Sequence, residues 1–303
     1  YYRYLPSYFE RQGDYAKADI VRWAWGSDWG TRQIDWDRLY NNNYGNLTED
    51  SKLAELNGLR RSNYVIEERH TDQRDANFKV QWIKTLRGGH RLNIGLDARY
   101  NRTEYYKQMK DLLGGDYWLD VDKYAERDFV GERVMQNNLD YYEANGHAPI
   151  IKEGDKYGYD YYAHVRNAKL WAIWNYNTGR VEGFVAGEAG YAGLWREGIY
   201  RKGSFEDNSQ GASKKLNFLE YKAKGALTYK ISGANALTAS VAYMQQAPSF
   251  QSSFVSPRTR NSVTPNLTPE KVFSADLTYD LHVGGFKARV SGYYTQMQDQ
   301  AKV

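Results

Sequence analysis

The feature that most constrains this chain is an alternation of apolar and polar residues sustained over long runs. From residue 221 to 231 the odd positions are Tyr221, Ala223, Gly225, Leu227, Tyr229 and Ile231, while the even ones include Lys222, Lys224, Thr228 and Lys230. A β-strand sends successive side chains to opposite faces, so a period of two means one apolar and one polar environment. The pattern recurs at 92–100, 237–243, 273–281 and 286–294, and less regularly over 75–86, 159–176 and 181–195. An all-β chain follows.

The runs pair through short turns: Arg87-Gly88-Gly89-His90, Asn177-Thr178-Gly179-Arg180, Ser232-Gly233-Ala234-Asn235 and His282-Val283-Gly284-Gly285. Gly- and Asn-containing turns of this length join antiparallel neighbours. They predict about eight strands in four hairpins from residue 62 onward. The connections between hairpins, 109–154, 201–214 and 249–268, are long, polar and aromatic, and 1–61 reads as one more such loop. Short turns at one end and long loops at the other are the organisation of an antiparallel up-and-down transmembrane β-barrel with long extracellular loops. Two helices are expected inside the loops. One is capped by Asp14 and carries Ala16, Ile20, Val21 and Trp23; the other runs over 124–142 with Phe129, Val130, Val134, Met135 and Leu139 on its apolar side.

Composition narrows the classes. No stretch of about 18 apolar residues exists that would make a transmembrane helix, and mean hydropathy is -0.80. An alternating barrel hides its hydrophobicity from such an average. The chain has 303 residues, no Cys, 28 Tyr, 9 Trp and 10 Phe, with a net charge of +4. Disulfides and thiolate chemistry are excluded, and the small basic excess speaks against nucleic acid as a partner. A soluble sandwich would show the same alternation, but its strands average about 5–6 residues, and several runs here are long enough to cross a bilayer with tilt. The start at Tyr1-Tyr2-Arg3 and the end at Gln298–Val303, directly after a strand pattern, suggest a piece of a longer chain rather than a complete small barrel.

The stretch Gln246-Ala247-Pro248-Ser249-Phe250, then Ser256-Pro257-Arg258 and Pro265-Asn266-Leu267-Thr268-Pro269-Glu270-Lys271, resembles TonB-dependent outer-membrane receptors, in which such a segment precedes a late barrel strand. Residues 1–8 and 111–120 look like loops of the large receptors of Bacteroidetes, which often carry a carboxypeptidase-regulatory-like N-terminal domain. The resemblance implies a barrel of about 22 strands closed by a plug, of which this chain supplies about eight. It also implies a cell outer-membrane location, lipid contact, TonB acting through a region N-terminal to these residues, and import of a bulky nutrient. A platform role, with outer loops holding a surface lipoprotein or another partner, is the alternative. A soluble carbohydrate-binding β protein is a third reading.

Chemical motifs are sparse. His70, His90, His147, His164 and His282 form no tight metal spacing, and His90 and His282 read as solvated turn residues. Asp116, Asp120 and Asp122 lack the EF-hand spacing and read as a solvated acidic loop rather than a Ca²⁺ site. Glu182 and Glu188 share one strand face and are expected to balance Lys169 or Arg166 rather than to act as an acid/base pair. No enzyme, metal or cofactor is expected. The loop aromatics are the ligand-facing candidates: Tyr4, Tyr8, Trp23, Trp25, Trp29 and Trp36 in the first loop, with Tyr1 and Tyr2, and Tyr117 and Trp118 in the next. Tyr and Trp give contact area at low entropic cost. The competing role for each is packing the long loops against one another.

Overall fold

The computed structural model describes residues 4–49, 54–129 and 132–300. Among them the strands are β1 (Ile66–Thr85), β2 (Arg91–Asp111), β3 (Trp118–Leu119), β4 (Ile150–Ile151), β5 (Lys156–Asn177), β6 (Val181–Gly198), β7 (Gly211–Ala212), β8 (Leu216–Lys230), β9 (Asn235–Gln246), β10 (Glu270–Val283) and β11 (Phe286–Gln298). The long strands form one sheet in the order β1-β2-β5-β6-β8-β9-β10-β11, with β7 pairing on β6. Every long strand therefore lies beside its neighbour in sequence, and the registers from β2 to β11 are antiparallel. The turn between β1 and β2 holds Gly88 and Gly89 at φ 76° and 81°, a left-handed backbone that a Cβ would penalise.

Register joins the separate apolar runs into one surface. Leu96 lies opposite Leu170, Leu170 opposite Ala189, and Ala189 opposite Tyr221. Further along, Leu237 lies opposite both Tyr229 and Tyr279, and Tyr279 opposite Val290. In a soluble sandwich this face would be core. Here it is bare: Leu170 is 57% exposed, Leu219 71% and Val290 69%. Aromatic residues mark its two margins, with Tyr100, Tyr191, Tyr221, Tyr243 and Tyr294 toward the long loops and Trp174, Tyr229, Tyr279 and Phe286 toward the short turns. Tyr221 and Tyr229 are eight residues apart on β8, roughly 27 Å at about 3.4 Å per residue. At a strand tilt of about 40° that is roughly 21 Å of height, close to the apolar band of outer-membrane barrels.

The strands nearest the N-terminus are longer than a bilayer requires. β1, β2 and β5 have 20, 21 and 22 residues, against about 9–11 needed to cross. Beyond the apolar band both faces carry polar side chains, so alternation fades there. The sheet nonetheless continues from Ile66 and through Asp111, past the strand-like segment 75–86 and into the expected loop. At this far end β5 bulges. Tyr106 pairs with Asp160 and Lys107 with Tyr157, which leaves Gly158 and Tyr159 as extra residues. Gly158 sits at φ +73°, and a Cβ on it would lie 2.1 Å from Lys107 Cε.

Helices occupy the loops: α1 (Pro6–Arg11), α2 (Tyr15–Ser27), α3 (Trp36–Tyr44), α4 (Lys123–Asp128), α5 (Leu139–Asn145) and α6 (Phe250–Ser253). Asp14 caps α2 by accepting from the Lys17 amide at 3.0 Å, as the sequence predicts. The single helix expected over 124–142 is instead two short helices and a 3₁₀ turn at Arg133–Met135. Asp122 and Asn138 each start a helix as caps, and Phe129 leaves helical geometry at φ -136°. Val130 falls outside the described residues.

By its contacts the chain divides into two compact units. The first contains residues 1–67 with 109–119 and 150–154. Its pin is Asn43, fully buried, whose Nδ2 donates to the carbonyls of Tyr64 (2.8 Å), Leu112 (2.9 Å) and Leu113 (3.1 Å). Its Oδ1 accepts from the amides of Asn63 and Tyr64 at 2.8 and 3.1 Å. Leu56 and Tyr117 pack there with Leu119 and Ile150. The second unit holds the sheet and the remaining loops. In it Leu194, Leu216 and Phe254 form a core with Val165, Phe218 and Val263, so the 249–268 loop folds onto the polar-side ends of β5, β6 and β8.

Candidate functional site

The polar face of the sheet is a ladder of paired charges. Arg99 meets Asp75 at 2.8 Å, Lys79 meets Asp97 at 4.0 Å, Lys230 meets Glu182 at 2.7 Å and Arg289 meets Asp280 at 2.6 Å. At its centre Lys169 lies 3.4 Å from both Glu188 and Glu220, and Lys222 lies 3.1 Å from Glu188. Period two predicts that Glu182 and Glu188 share this face, and each is held by a lysine. Arg166 is not their partner, because it projects from the opposite face, where it donates to Tyr191 Oη at 3.0 Å. Two clefts of about 310 Å³ open on the ladder. One is lined by Asp97, Trp171, Glu188 and Lys222, the other by Lys79, Arg99, Asn167 and Lys169. Cations and anions alternate, so the face is charged without favouring one sign.

The candidate aromatic residues fall into two kinds. Around α1 and α2, Tyr4 and Trp25 line a cleft of about 360 Å³ with Phe9, Val21, Arg32 and Ile34. Trp25 Nε1 donates to the Tyr4 carbonyl at 2.8 Å, which fixes one wall. Tyr8 stands edge-on to Phe9 with ring centres 5.2 Å apart. Trp23 and Trp29 are each 70% exposed, and Trp36 is also exposed. Tyr117 and Trp118 are buried, and Tyr117 Oη bonds Thr48 Oγ1 at 2.6 Å. The cleft thus gathers Tyr4 and Trp25, while Tyr117 and Trp118 hold the loop. Tyr1 and Tyr2 lie outside the described residues.

Sequence reasoning misses the most elaborate polar cluster of the loops. Asp120 is 2% exposed and Lys202 7%. Two groups bridge them. The Gly158 amide donates to both Asp120 carboxylate oxygens at 3.0 Å, and the Gly158 carbonyl accepts from Lys202 Nζ. The Asn137 side chain donates to Asp120 at 2.9 Å and accepts from Lys202 at 3.0 Å. The bulge in β5 turns the Gly158 peptide into this position. Burial pushes the Asp120 carboxyl above the ordinary carboxylate range, against the pull of Lys202. Burial likewise lowers the Lys202 ammonium to about 8, opposed by Asp120. The carboxylate only accepts here, so the cage suits its ionised form. Asp120 is therefore not part of a solvated acidic loop. Asp116 accepts from the Arg60 amide at 2.7 Å and Asp122 caps α4, so the three carboxylates serve separate structural ends.

Two further groups are legible only in three dimensions. Arg196, buried on the polar face, donates to the carbonyls of Ser209 (2.7 Å) and Pro257 (2.5 Å) and to Asn261 Oδ1 (2.5 Å), tying two outer loops to β6. His164 is buried between Tyr100 Oη at 2.8 Å and Glu197 at 2.9 Å. His282 lies within β10 rather than in the turn after it, whereas His90 does flank a turn, stacked 5.7 Å from Trp174.

No protein-family model matches the sequence, and no curated protein matches it. Among solved structures, the copper transporter OprC superposes with a TM-score of 0.52 at 11% identity, over 77% of this chain and 32% of that one. The chain thus spans about a third of the length of that relative. At this identity the likeness bears on fold alone, and the fold agrees with the sheet described: all-β, antiparallel and up-and-down, of the transmembrane β-barrel kind.

Proposed function

We infer that this chain forms part of the wall and outer loops of a TonB-dependent receptor in the cell outer membrane, one that imports a bulky nutrient. The observation that carries this reading is a single sheet with two unlike faces. One is apolar, continuous across the strands, bare, and bounded by aromatic margins; the other is an ion-paired polar ladder. The first suits lipid and the second a wet interior. On this reading the short turns face the periplasm and the long loops the outside. TonB would act through a plug supplied by other parts of the protein, and no cofactor is called for. The cleft around Tyr4 and Trp25 and the exposed Trp23, Trp29 and Trp36 are the ligand-facing surface, suited to stacking on a sugar, a peptide or a chelate. Copper is not carried over from OprC, because that likeness concerns fold.

The test is two-part. The protein should leave isolated outer membranes only with detergent and should run faster on a denaturing gel before boiling than after. Deleting its gene should then abolish energy-dependent uptake of one nutrient, and so should deleting the gene for TonB. Recovery in the aqueous fraction would overturn the membrane assignment. Unchanged uptake, together with copurification of a fixed lipoprotein, would favour the platform role. The exposed Ile20, Trp23 and Trp29 of the first unit suit that second reading.

A further inference from the structure

On the polar face most of the charges are paired, but on the apolar face a group of cations at the loop end is not. Arg102, Arg166 and Lys215, with Arg74 in the same cleft as Arg102, make no ion pair among the described residues, and the nearby carboxylates are engaged elsewhere. Glu104 is held by Lys156, Glu197 bonds His164 at 2.9 Å, and Asp72, which lines the same cleft as Arg102, accepts from Tyr106 Oη at 3.1 Å.

Arg102, Arg166 and Lys215 rest on aromatic rings. The Arg102 guanidinium lies 3.8 Å from the centre of Tyr162, and Lys215 Nζ lies 5.3 Å from that of Trp195. Arg166 lies 5.6 Å from both Tyr191 and Trp195. Ring contacts fix a cation's place while leaving other N–H groups open to an anion.

Register puts them in adjacent rows. Arg102, His164 and Trp195 form one row, with Lys215 next to the end of the β6–β8 pairing. Tyr100, Arg166 and Gly193 form the next. Gly193 makes room for the guanidinium, since a Cβ there would lie 2.7 Å from Arg166 Nε. The indole of Trp195 is itself braced by His164, with ring centres 4.6 Å apart and planes 3° from parallel. Below these rows come the exposed Leu96, Leu170 and Leu219. The cations thus stand where the apolar band ends, on the side of the long loops, at head-group height in the outer leaflet.

We propose that Arg102, Arg166 and Lys215 form a binding site for the phosphate groups of an outer-leaflet glycolipid, whose acyl chains lie along Leu96, Leu170 and Leu219. Position favours a lipid over an acidic protein, because the apolar surface directly below would have to be covered as well. The proposal rests on the membrane reading above.

The test uses the full-length protein in phosphatidylcholine vesicles doped with diphosphoryl lipid A or with the same lipid dephosphorylated, read by native mass spectrometry of the retained lipid. The phosphorylated form should be retained preferentially, and inorganic phosphate should not displace it. The triple variant Arg102→Gln/Arg166→Gln/Lys215→Gln should weaken retention about a hundredfold, from about fivefold per cation at a membrane surface. The charge-preserving Arg166→Lys/Lys215→Arg variant should keep most of it, and a gel mobility that changes on boiling reports that each variant is folded. Equal retention of the two lipids by folded protein, equal retention by the triple variant, or displacement by free phosphate would each overturn the site while leaving the membrane assignment intact. Failure to enter vesicles at all would overturn both.

Discussion

Taking a carboxylate and an ammonium out of water costs several kcal/mol per ion, a cost offset only when their lone pairs and protons find partners. Asp120 and Lys202 meet that condition through the Gly158 peptide and the Asn137 amide, which each donate to one and accept from the other. Asp120→Asn should leave Lys202 uncompensated and cost about 3–5 kcal/mol of loop stability. The double variant Asp120→Asn/Lys202→Met should cost well below the sum of the singles, measured as protease cleavage of 201–214 across a urea series. The pH dependence has a definite sign. Lys202 loses its proton at about 8 in the folded protein, against about 10.4 in an unfolded chain. Between those values the unfolded chain binds the extra proton, so stability should rise with pH. Below pH 8 the full cost of the buried charge is in place. Tyr200, pushed up to about 12 by burial, works the other way only above about pH 10. Protease resistance compared at pH 8 and pH 10 should show the rise, and Lys202→Met should flatten it. Arg196→Met should release both loops it ties, speeding cleavage within 201–214 and 249–268 while leaving the boiling-sensitive gel mobility unchanged.

A strand is legible in sequence only where its two faces meet different surroundings. β8 to β11 are read over most of their length, because they alternate there, with ends that extend up to five residues beyond the alternating runs. The outer halves of β1 and β2 are not, since both faces there carry polar groups and the period disappears, whereas β5 is read over 159–176, nearly its whole length. Glu182 and Glu188 could be placed on one face by counting, and so could Lys169. The partnership of Asp120 with Lys202 could not, because it depends on how a bulge turns one peptide between two loops. The aromatic loop residues could be collected from sequence but not sorted, for nothing local separates Trp25 at a cleft wall from Tyr117 in a core. The face assignment makes a sharp prediction for a single element. Leu170 stands midway between Arg166 and Trp174 on the bare face of β5. Leu170→Arg should cost about 2–4 kcal/mol in a bilayer, seen as a lower denaturant midpoint of the protein in vesicles. Three residues away, Asn167→Arg on the polar side should be near neutral. Equal effects at both positions would contradict the lipid-facing assignment. Gly158→Ala should be worse tolerated than most surface changes, because it meets both the left-handed backbone and Lys107.

The whole sheet is built by pairing each long strand with the next in sequence, without a crossover. Contacts between neighbours are closed over short turns at one end, and the long excursions at the other return to the adjacent position. Boiling should therefore be needed to unravel the protein fully in detergent, and a single nick in any long loop should leave the unboiled mobility in place, since each long strand finds its partners in the adjacent long strands. The same wiring bears on descent. A hairpin such as β8–β9 enters and leaves at the same margin of the sheet, so copying or losing its coding segment would add or remove two strands. Every remaining strand would keep its direction and the side it shows to each medium. In a closed barrel of this kind the bore would widen or narrow in steps of two strands, and an ancestral chain could change it without redesigning a single pairing already made.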